Sequence, residues 1–369
     1  MPGPLDSVKV VEFAGLGPAP LAGQLLADFG AEVIVIDRKP APADPGDVNR
    51  RGKRSVAVNL KSEAGRAVAL KLIAQSDILI EGFRPGVMER LGLGPQDCPG
   101  TLIYGRMTGW GQDGPLARTA GHDITYLAMT GVLNMFGRPD APPTPPLNLV
   151  ADYGGGTMFL ILGLLSALIG RGQTGRGQVV DAAMIDGVPA MMGLLHGMMA
   201  QGRWSDRRSD NWLDGGAPYY RCYRCADGRD VAVGALEPQF YAELLHGVGL
   251  ADADLPGQED RAGWPALHAR FADVFASRTR DDWAQVFDGT DACVAPVLTL
   301  DEAAAHPHLA ARGTYVEPGG VRQAAPAPRL SATPGNPPAG PRAPGADTDD
   351  VLRALGLDPD ALRRAGAVL

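Results

Sequence analysis

The stretch that decides the fold is VVEFAGLGPAPLAGQLLADFGAEVIVIDR, from Val10 to Arg38. It begins with an apolar run, turns at GLGPAP (Gly15–Pro20), continues with a helical pattern and ends in the β-branched run VIVID. A strand, a helix and a second strand in this order predict a parallel β-α-β unit. Similar runs and helical patterns alternate up to about Thr108. We therefore expect an α/β fold with a large, doubly wound parallel sheet.

The turn GLGPAP is similar to the phosphate-binding loop of dinucleotide-binding proteins, whose pattern is G-x-G-x-x-G with an acid at the end of the second strand. Gly15, Gly17 and Asp37 match part of that pattern. Pro20 replaces the third glycine, and Pro18 lacks an N–H group that could bind a pyrophosphate. An NAD-dependent dehydrogenase is therefore disfavoured, and a failure to bind nicotinamide would exclude it.

Composition limits the classes of protein that remain. The chain has 369 residues and a formal net charge of −8, which does not suit a nucleic-acid-binding protein. The first residues lack the charged leader and apolar core of a signal peptide. The apolar run Met158–Ile169 is too short to cross a bilayer, and we expect no membrane span.

Cysteine usage points to a reducing compartment. Four cysteines are too few for a disulfide framework in a chain of this length, so we expect a cytoplasmic protein. The motif CYRC contains Cys222 and Cys225, which are three residues apart and would face opposite sides of a strand. No second pair accompanies them, and we expect no metal site.

Changes in composition along the chain predict two domains. Residues 1–200 should form the large domain, and 330–369 should return to it. Residues 201–220 are a glycine-containing linker to a smaller α+β domain at 221–315, which starts with a hairpin around the turn CADGRD. The stretch 316–345 is rich in proline and alanine and should be an extended linker.

Basic residues concentrate where the first strands end. Between Arg38 and Lys61 there are seven basic and two acidic residues in an otherwise acidic chain. Arg84, Arg90 and Arg106 follow or end later strands. A solvated basic face is one explanation. The other is a ligand with several phosphates that is held by side chains rather than by a glycine loop.

Three acid/base candidates, His122, Asp152 and Glu237, stand where a segment turns into a helix. Asp123 can cap one helical pattern with His122 just outside its start, Asp152 begins the long apolar one, and Glu237 precedes a proline-initiated helix. The positive end of a helix favours a neutral imidazole at His122 and an ionised carboxylate at Asp152. Each residue taken singly is also compatible with an ordinary cap or a surface side chain.

Longer motifs carry a family resemblance. They cover nearly the whole chain to about Leu298 and are, in order, VVEFAGLGPAPLAGQLLADFGAEVIVIDR, RGKRSVAVNLKS, FRPGVMERLGLGP, LIYGRMTGWGQDGP, AGHDITYL, PPLNLVADYGGG, GQVVDAAMIDG, LDGGAPYY, AVGALEPQFY and DACVAPVL. Together they resemble the racemase branch of the family III CoA-transferase superfamily. That resemblance implies an interlocked homodimer in which the large domain binds coenzyme A, and no role for GLGPAP in nicotinamide binding.

The resemblance also implies functions for single residues. The catalytic residues would be His122, Asp152 and Glu237, with Glu237 orienting the histidine. CoA and the acyl group would contact Arg38, Val58, Asn59, Leu60, Lys61, Arg84, Arg90, Gly121, Asp123, Ile124, Thr125, Tyr126, Met107 and Met184. No metal or redox cofactor is implied, because coenzyme A is part of the substrate.

The activity implied is the interconversion of (R)- and (S)-2-methylacyl-CoA thioesters by proton transfer through an enolate. His122 would take the α-proton of the S epimer, and Asp152 that of the R epimer. The alternative within the superfamily is a CoA-transferase in which Asp152 attacks the thioester and carries the acyl group. The pair of His122 and Glu237 favours the racemase.

Overall fold

The computed structural model describes residues 3–369. Its strands are β1 Lys9–Phe13, β2 Glu32–Asp37, β3 Arg54–Ala57, β4 Ile78–Glu81, β5 Ile103–Thr108, β6 Val179–Ala183, β7 Tyr220–Arg224, β8 Asp230–Gly234, β9 Val294–Pro296, β10 Tyr315–Val316 and β11 Gln323–Ala324. The first six strands form one sheet in the order β3-β2-β1-β4-β5-β6, and every pair is parallel. The expected α/β fold with a parallel sheet is confirmed.

The helices lie between and after these strands. They are α1 Pro18–Asp28, α2 Glu63–Ile73, α3 Val87–Arg90, α4 Asp123–Met129, α5 Phe159–Thr174, α6 Met184–Ala190, α7 Gly193–Ala200, α8 Pro238–Gly247, α9 Trp264–Phe275, α10 Arg280–Val286, α11 Leu300–Ala305, α12 Pro307–Ala311, α13 Thr348–Ala354 and α14 Pro359–Arg364. A π-helix, Leu149–Met158, runs directly into α5.

The sheet order reverses between β1 and β4. Successive strands proceed from β1 to β2 and β3 on one side, and from β4 to β5 and β6 on the other. Open α/β sheets bind ligands at such a reversal, at the carboxyl ends of the two strands. The GLGPAP turn follows β1 at this point. Gly17 there has φ +72°, which a residue with a side chain rarely adopts.

The described chain divides into two compact units. The first contains 1–130, 147–191 and 307–369, and the second contains 131–146 and 192–306. Each has its own apolar core: Val11, Phe13, Leu79 and Tyr104 are among the buried residues of the first, and Tyr223, Phe271 and Trp283 are among those of the second.

The two compact units do not begin and end at the domain boundaries that the sequence predicted. The loop at 131–146 belongs with the second unit, and so do 192–220, which had been divided between the large domain and a linker. Residues 307–329 belong with the first unit, since Arg51 donates hydrogen bonds to the side chain of Gln323 and the carbonyl oxygen of Ala324. The domain limits at 200, 221, 315 and 345 stay predictions.

The second unit contains a small antiparallel sheet. Its order is β7-β8-β9, and β7 and β8 form the hairpin around the turn CADGRD. Cys222 on β7 is exposed and Cys225 is buried, which agrees with the prediction that the two sulfurs face opposite sides.

The π-helix and α5 form one continuous apolar helix, Leu149–Thr174, of 26 residues. By length and composition it could cross a membrane, although core helices of soluble proteins meet the same criterion. Leu160, Leu164 and Ala167 are buried, whereas Leu162 and Ile169 are exposed. The absence of a membrane span stays a prediction.

The end of the chain packs on the outer strand of the large sheet. The side chain of Asp347 accepts a hydrogen bond from the backbone N–H of Ser55, and Thr348 accepts one from that of Ala57. Val368 then forms an isolated antiparallel bridge with Val58. These contacts attach Asp347, Thr348 and Val368 to the large sheet, and the return of 330–369 as a part of the large domain stays a prediction.

Candidate active site

Asp152 lies at the point where the sheet order reverses. It stands in the first turn of the π-helix, and a Cβ atom built on Gly17 would lie 3.7 Å from its Oδ2 atom. The hydroxyl of the buried Thr157 donates a hydrogen bond of 2.9 Å to the carbonyl oxygen of Pro18. The π-helix is thereby attached to the start of α1, and the carboxylate of Asp152 faces the GLGPAP turn.

Three consecutive glycines follow Asp152 and allow α6 to approach closely. A Cβ on Gly155 would lie 2.8 Å from the side chain of Val188, and one on Gly156 would lie 3.2 Å from that of Met184. Side chains at these positions would push α6 away from the π-helix. The glycines therefore serve packing around Asp152 rather than phosphate binding.

The start of α4 differs from the expected capping arrangement. We expected Asp123 to cap this helix, but His122 is the N-cap residue and Asp123 is the first helical residue. The hydroxyl of Thr125 accepts a hydrogen bond from the N–H of His122. The side chain of Asp123 instead accepts hydrogen bonds from the N–H groups of Ala151 and Asp152, each at 2.8 Å. Asp123 thus provides the hydrogen-bond acceptor for two backbone N–H groups in the first turn of the π-helix.

The pKa of Asp152 is raised above the ordinary value. That the helix terminus keeps this carboxylate ionised stays a prediction. Burial is the largest cause of the raised pKa, and the negative charge of Asp123 is the second. A hydrogen bond from Asn148 and the charge of His122 act in the opposite direction without reversing the shift. The result is a carboxylate that accepts a proton more readily than an exposed aspartate.

The other residues predicted around α4 lie at its first turn. His122, Ile124 and Thr125 are exposed, whereas Tyr126 is buried and its ring packs against Trp110 at 4.8 Å. A Cβ on Gly121 would lie 2.5 Å from the ring of Tyr126, so the chain passes directly over that ring. Among residues 3–369, no acceptor lies within hydrogen-bonding distance of the N–H groups of Asp123 and Ile124, which can therefore meet an oxyanion.

The segment predicted to bind CoA begins at the carboxyl ends of β2 and β3. Asp37 and Ala57 are paired across these strands, so Arg38 and Val58 leave the sheet side by side. Val58 is buried, Asn59 and Leu60 are half-buried, and the side chains of Arg38 and Lys61 are exposed.

Much of the basic cluster is neutralised by ion pairs. Four of its residues have acidic partners that precede them in the chain. The pairs are Arg50 with Asp37 and Asp47, Arg51 with Asp28, Lys53 with Glu12, and Arg54 with Glu32. Binding of phosphates by the cluster stays a prediction, and Arg38, Lys39 and Lys61 are its cations without a salt bridge to a described residue. Asp37 is paired with Arg50, which disfavours it as the ribose-binding acid of a dinucleotide site.

Of the three later arginines, Arg84, Arg90 and Arg106, one is likewise held by ion pairs and two are not. Arg106 is buried and donates to Glu81 at 2.9 Å and to Glu89 at 2.8 Å, so it holds the loop after β4 rather than a ligand. Arg84 in that loop and Arg90 at the end of α3 are exposed and form no salt bridge within residues 3–369.

Met107 and Met184 lie beside the π-helix. Both are buried, and a Cβ on Gly156 would lie 3.4 Å from the methyl group of Met107. Gly156, which both side chains approach, follows Asp152 by about one helical turn. Contact of these thioethers with an acyl group stays a prediction.

Glu237 belongs to the second unit. It is exposed at the N-cap position of α8, three residues after the end of β8, as its sequence context indicated. It lines a cavity of about 760 Å³ together with Leu194, Met198, Trp212 and Leu236. The cavity wall is mainly apolar.

The comparisons with known proteins concern nearly the whole chain. The family model for CoA-transferase family III matches residues 5–349. The chain belongs to CoA-transferase family III. It is 47% identical over 365 residues to the α-methylacyl-CoA racemase of Mus musculus, covering 97% of this chain and 95% of that protein. The human α-methylacyl-CoA racemase is 45% identical over 368 residues, with the same coverage.

A solved structure agrees with the fold. The crystal structure of a CAIB/BAIF family protein from Brucella suis superimposes with a TM-score of 0.82 at 26% identity, covering 96% of this chain and all of that one. The resemblance to the family III superfamily read from the motifs is therefore confirmed.

Sequence reasoning missed two polar contacts of this family III site. The bonds from Ala151 and Asp152 to Asp123 join residues 28 and 29 positions apart, and Asn148 bonds to Asp152 within one turn. The spacing from Asn148 to Asp152 was visible in the sequence, but the link to Asp123 depends on how two helices pack. Within residues 3–369, no group of three or more His, Cys, Asp or Glu side chains could hold a metal ion.

Proposed function

We propose that this family III protein is a racemase that interconverts (R)- and (S)-2-methylacyl-CoA thioesters. Identity of 45–47% over nearly the whole chain to two α-methylacyl-CoA racemases supports this assignment. Inversion next to a thioester carbonyl requires one group that removes the α-proton from one face and another that returns a proton to the other. The reaction is cofactor-independent, because the thioester itself acidifies the α-proton.

The observation that carries the mechanism is the link between the two segments that bear an imidazole and a carboxylate. His122 ends the segment before α4, Asp152 stands in the first turn of the π-helix, and Asp123 at the start of α4 accepts hydrogen bonds from the N–H groups of Ala151 and Asp152. In our proposal His122 takes the α-proton of the S epimer and Asp152 that of the R epimer. The raised pKa of Asp152 suits it to this exchange, because a base is most effective when its pKa approaches the working pH.

The enolate oxygen would be stabilised by backbone donors. The N–H groups of Asp123 and Ile124 point out of the first turn of α4 without a protein acceptor, and they need no reorganisation when charge develops on the oxygen. The phosphates of CoA would meet Arg38 and Lys61 at the carboxyl ends of β2 and β3, with Arg84 and Arg90 as further cations.

The remaining parts of the proposal come from the resemblance. Glu237 would orient His122, the protein would act as a homodimer, and it would work in the cytoplasm. Sedimentation velocity tests the homodimer. Replacement of Glu237 with Gln should lower the rate of racemisation if its carboxylate holds the imidazole.

Proton NMR in deuterated water tests the activity. The protein is incubated with (S)-2-methylacyl-CoA, and a parallel tube contains a free carboxylate acceptor. Loss of the α-proton with formation of the R epimer, and no new acyl-CoA from the acceptor, supports the racemase. A retained α-proton with CoA passed to the acceptor would make Asp152 a nucleophile and the protein a CoA-transferase. Asp152→Asn should slow racemisation by at least about 10²-fold.

A further inference from the structure

The carboxylate of Asp123 joins the two elements that carry His122 and Asp152. Asp123 is 5% exposed and is the first residue of α4, directly after His122. Its Oδ2 atom accepts hydrogen bonds from both Ala151 and Asp152 at 2.8 Å. Those N–H groups lie in the first turn of a helix, where no carbonyl of the helix itself can accept them. One carboxylate oxygen therefore fixes the π-helix to the start of α4.

The second oxygen of Asp123 makes no bond. Its Oδ1 atom is buried and has no hydrogen-bond partner among residues 3–369. Buried carboxylate oxygens usually accept hydrogen bonds, since an unsatisfied one costs free energy. A neutral acceptor would cap the π-helix without this cost. Compared with a neutral capping residue, Asp123 therefore contributes a negative charge next to Asp152.

We propose that Asp123 is the positioning residue of this site: its carboxylate fixes the spacing of His122 and Asp152 and holds a negative charge beside Asp152. This inference rests on the proposed racemase function for its catalytic meaning. Its structural part concerns only bonds and charges within the first unit.

The spacing matters because the two bases must act on opposite faces of one carbon atom. A displacement of about 1 Å of a reacting group can cost about 10²-fold in rate. His122 has no side-chain capping bond of its own, and Thr125 holds only its backbone. The bonds from Asp123 to the π-helix are the direct connection between the start of α4 and the turn of Asp152.

The charge acts on a carboxylate with few other charged neighbours. From α4 and the turn before it, the groups that act on Asp152 are Asp123 and His122, and from the start of the π-helix Asn148 contributes a hydrogen bond. A negative neighbour disfavours ionisation, so Asp123 raises the pKa of Asp152.

The other elements packed on the π-helix bring no further charge to Asp152. Among the described residues, no charged group of α1, α6, β5 or β6 is one of those that act on its carboxylate. Removing the charge of Asp123 should therefore lower the pKa of Asp152.

The structural part is tested without turnover. Asp123→Asn keeps an acceptor and removes the charge, whereas Asp123→Ala removes both. Hydrogen exchange followed by mass spectrometry should show faster exchange of the peptide containing Ala151 and Asp152 in Asp123→Ala. Titration of ¹³C-labelled aspartate, with Asp152→Asn to assign the signal, should place the pKa of Asp152 about 0.5–1 unit lower in Asp123→Asn. The matched control is Asp282→Asn, which alters a capping aspartate at α10 in the second unit.

The catalytic part is tested by α-proton exchange in deuterated water. In Asp123→Asn the acidic limb of the pH–rate profile should move down with the pKa of Asp152, and in Asp123→Ala kcat should fall about 10²-fold with KM within about twofold. A profile and an exchange pattern identical to the parent in Asp123→Asn and Asp123→Ala would overturn the inference. If Asp123→Ala does not fold, the titration of Asp152 in the isosteric variant Asp123→Asn tests the inference instead. If the parent protein does not exchange the α-proton, the racemase function is refuted. The titration and amide hydrogen-exchange results then still test the structural part of the inference about Asp123.

Discussion

The backbones of Gly155 and Gly187 touch where α6 crosses the π-helix: a Cβ on Gly187 would lie 1.9 Å from the carbonyl oxygen of Gly155. No side chain fits between the two segments. The position of the turn that carries Asp152 is therefore set by a contact that only glycine permits.

Gly187→Ala should displace α6 and loosen this turn. We expect a loss of about 1–3 kcal/mol in the free energy of unfolding, as for overpacked cores, and a larger fall in kcat than in substrate binding. Urea denaturation and steady-state kinetics measure both. Gly170→Ala in α5 is the matched control, because a Cβ there meets nothing within 4 Å and alanine favours a helix. Equal behaviour of the two variants would contradict the packing argument.

Arg38→Gln should weaken binding of the CoA thioester. Its exposed guanidinium has no salt bridge to the described residues, so its charge is available for a phosphate. Loss of one charge-assisted hydrogen bond predicts an increase in KM of about tenfold with little change in kcat. The same variant should leave KM unchanged for a pantetheine thioester that lacks the phosphates. Arg54→Gln, whose partner is Glu32, is the control, and an equal effect there would remove the special role of Arg38.

The last residues of the chain should support the same binding segment. Asn59 donates its backbone N–H to the carbonyl oxygen of Ala367 and its side-chain amide to that of Gly366, while Val368 bridges Val58. Removal of 367–369 should raise KM for the CoA thioester by about tenfold and lower the melting temperature. Removal of Leu369 alone, which is 52% exposed, should do neither. If the variant that lacks 367–369 folds and its KM is unchanged, these residues do not contribute to substrate binding.

Acid stability should depend on Glu302 in the second unit. Arg280 donates two hydrogen bonds to this carboxylate and lowers its pKa from 4.5 to about 2. Because the folded pKa lies below the unfolded one, the ionised group stabilises the fold above about pH 4.5, and this contribution is lost as the pH falls towards 2. Urea unfolding of Glu302→Gln should therefore change less between pH 5 and about pH 3 than unfolding of the parent. Glu243→Gln, at an exposed position of α8, should retain the parent pH dependence.

The strands of the large sheet were predictable where their pattern is strong. β1 to β5 are short runs of buried β-branched or apolar residues, and the sequence indicates each of them. β6 was not predicted as a strand, because it is an edge strand with a mixed pattern in which Val179 is 46% exposed. Edge strands bury less of their surface, so their composition carries a weaker signal.

The candidate site residues could be named from the sequence, and their catalytic roles stay predictions. The motifs indicated His122, Asp152 and Glu237 through their resemblance to a family, and the structure places each of them at the start of a helix. The use of Asp123 by another helix could not be read from spacing, since its partners are 28 and 29 residues away. The pairing of Arg51 with Asp28 was hidden for the same reason, and it engages one residue of the basic cluster in a buried ion pair.

Met184 should influence which acyl chains are accepted. It is buried at the start of α6, and its side chain lies 3.2 Å from the position of a Cβ on Gly156, close to the turn of Asp152. An unbranched thioether adapts to ligands of different shape better than a branched side chain of similar volume. Met184→Leu should therefore preserve stability but change the ratio of kcat/KM for long and short acyl thioesters by about fivefold.

Racemisation of a short and a long 2-methylacyl-CoA, each followed by exchange of the α-proton, measures this ratio. Met129→Leu is the control, because Met129 is 66% exposed on α4 and its replacement should leave the ratio unchanged. If Met184→Leu also leaves the ratio unchanged, Met184 is a core residue and the acyl group lies elsewhere. A changed ratio together with an unchanged melting temperature would place Met184 against the acyl chain, since a packing defect alone would slow both substrates equally.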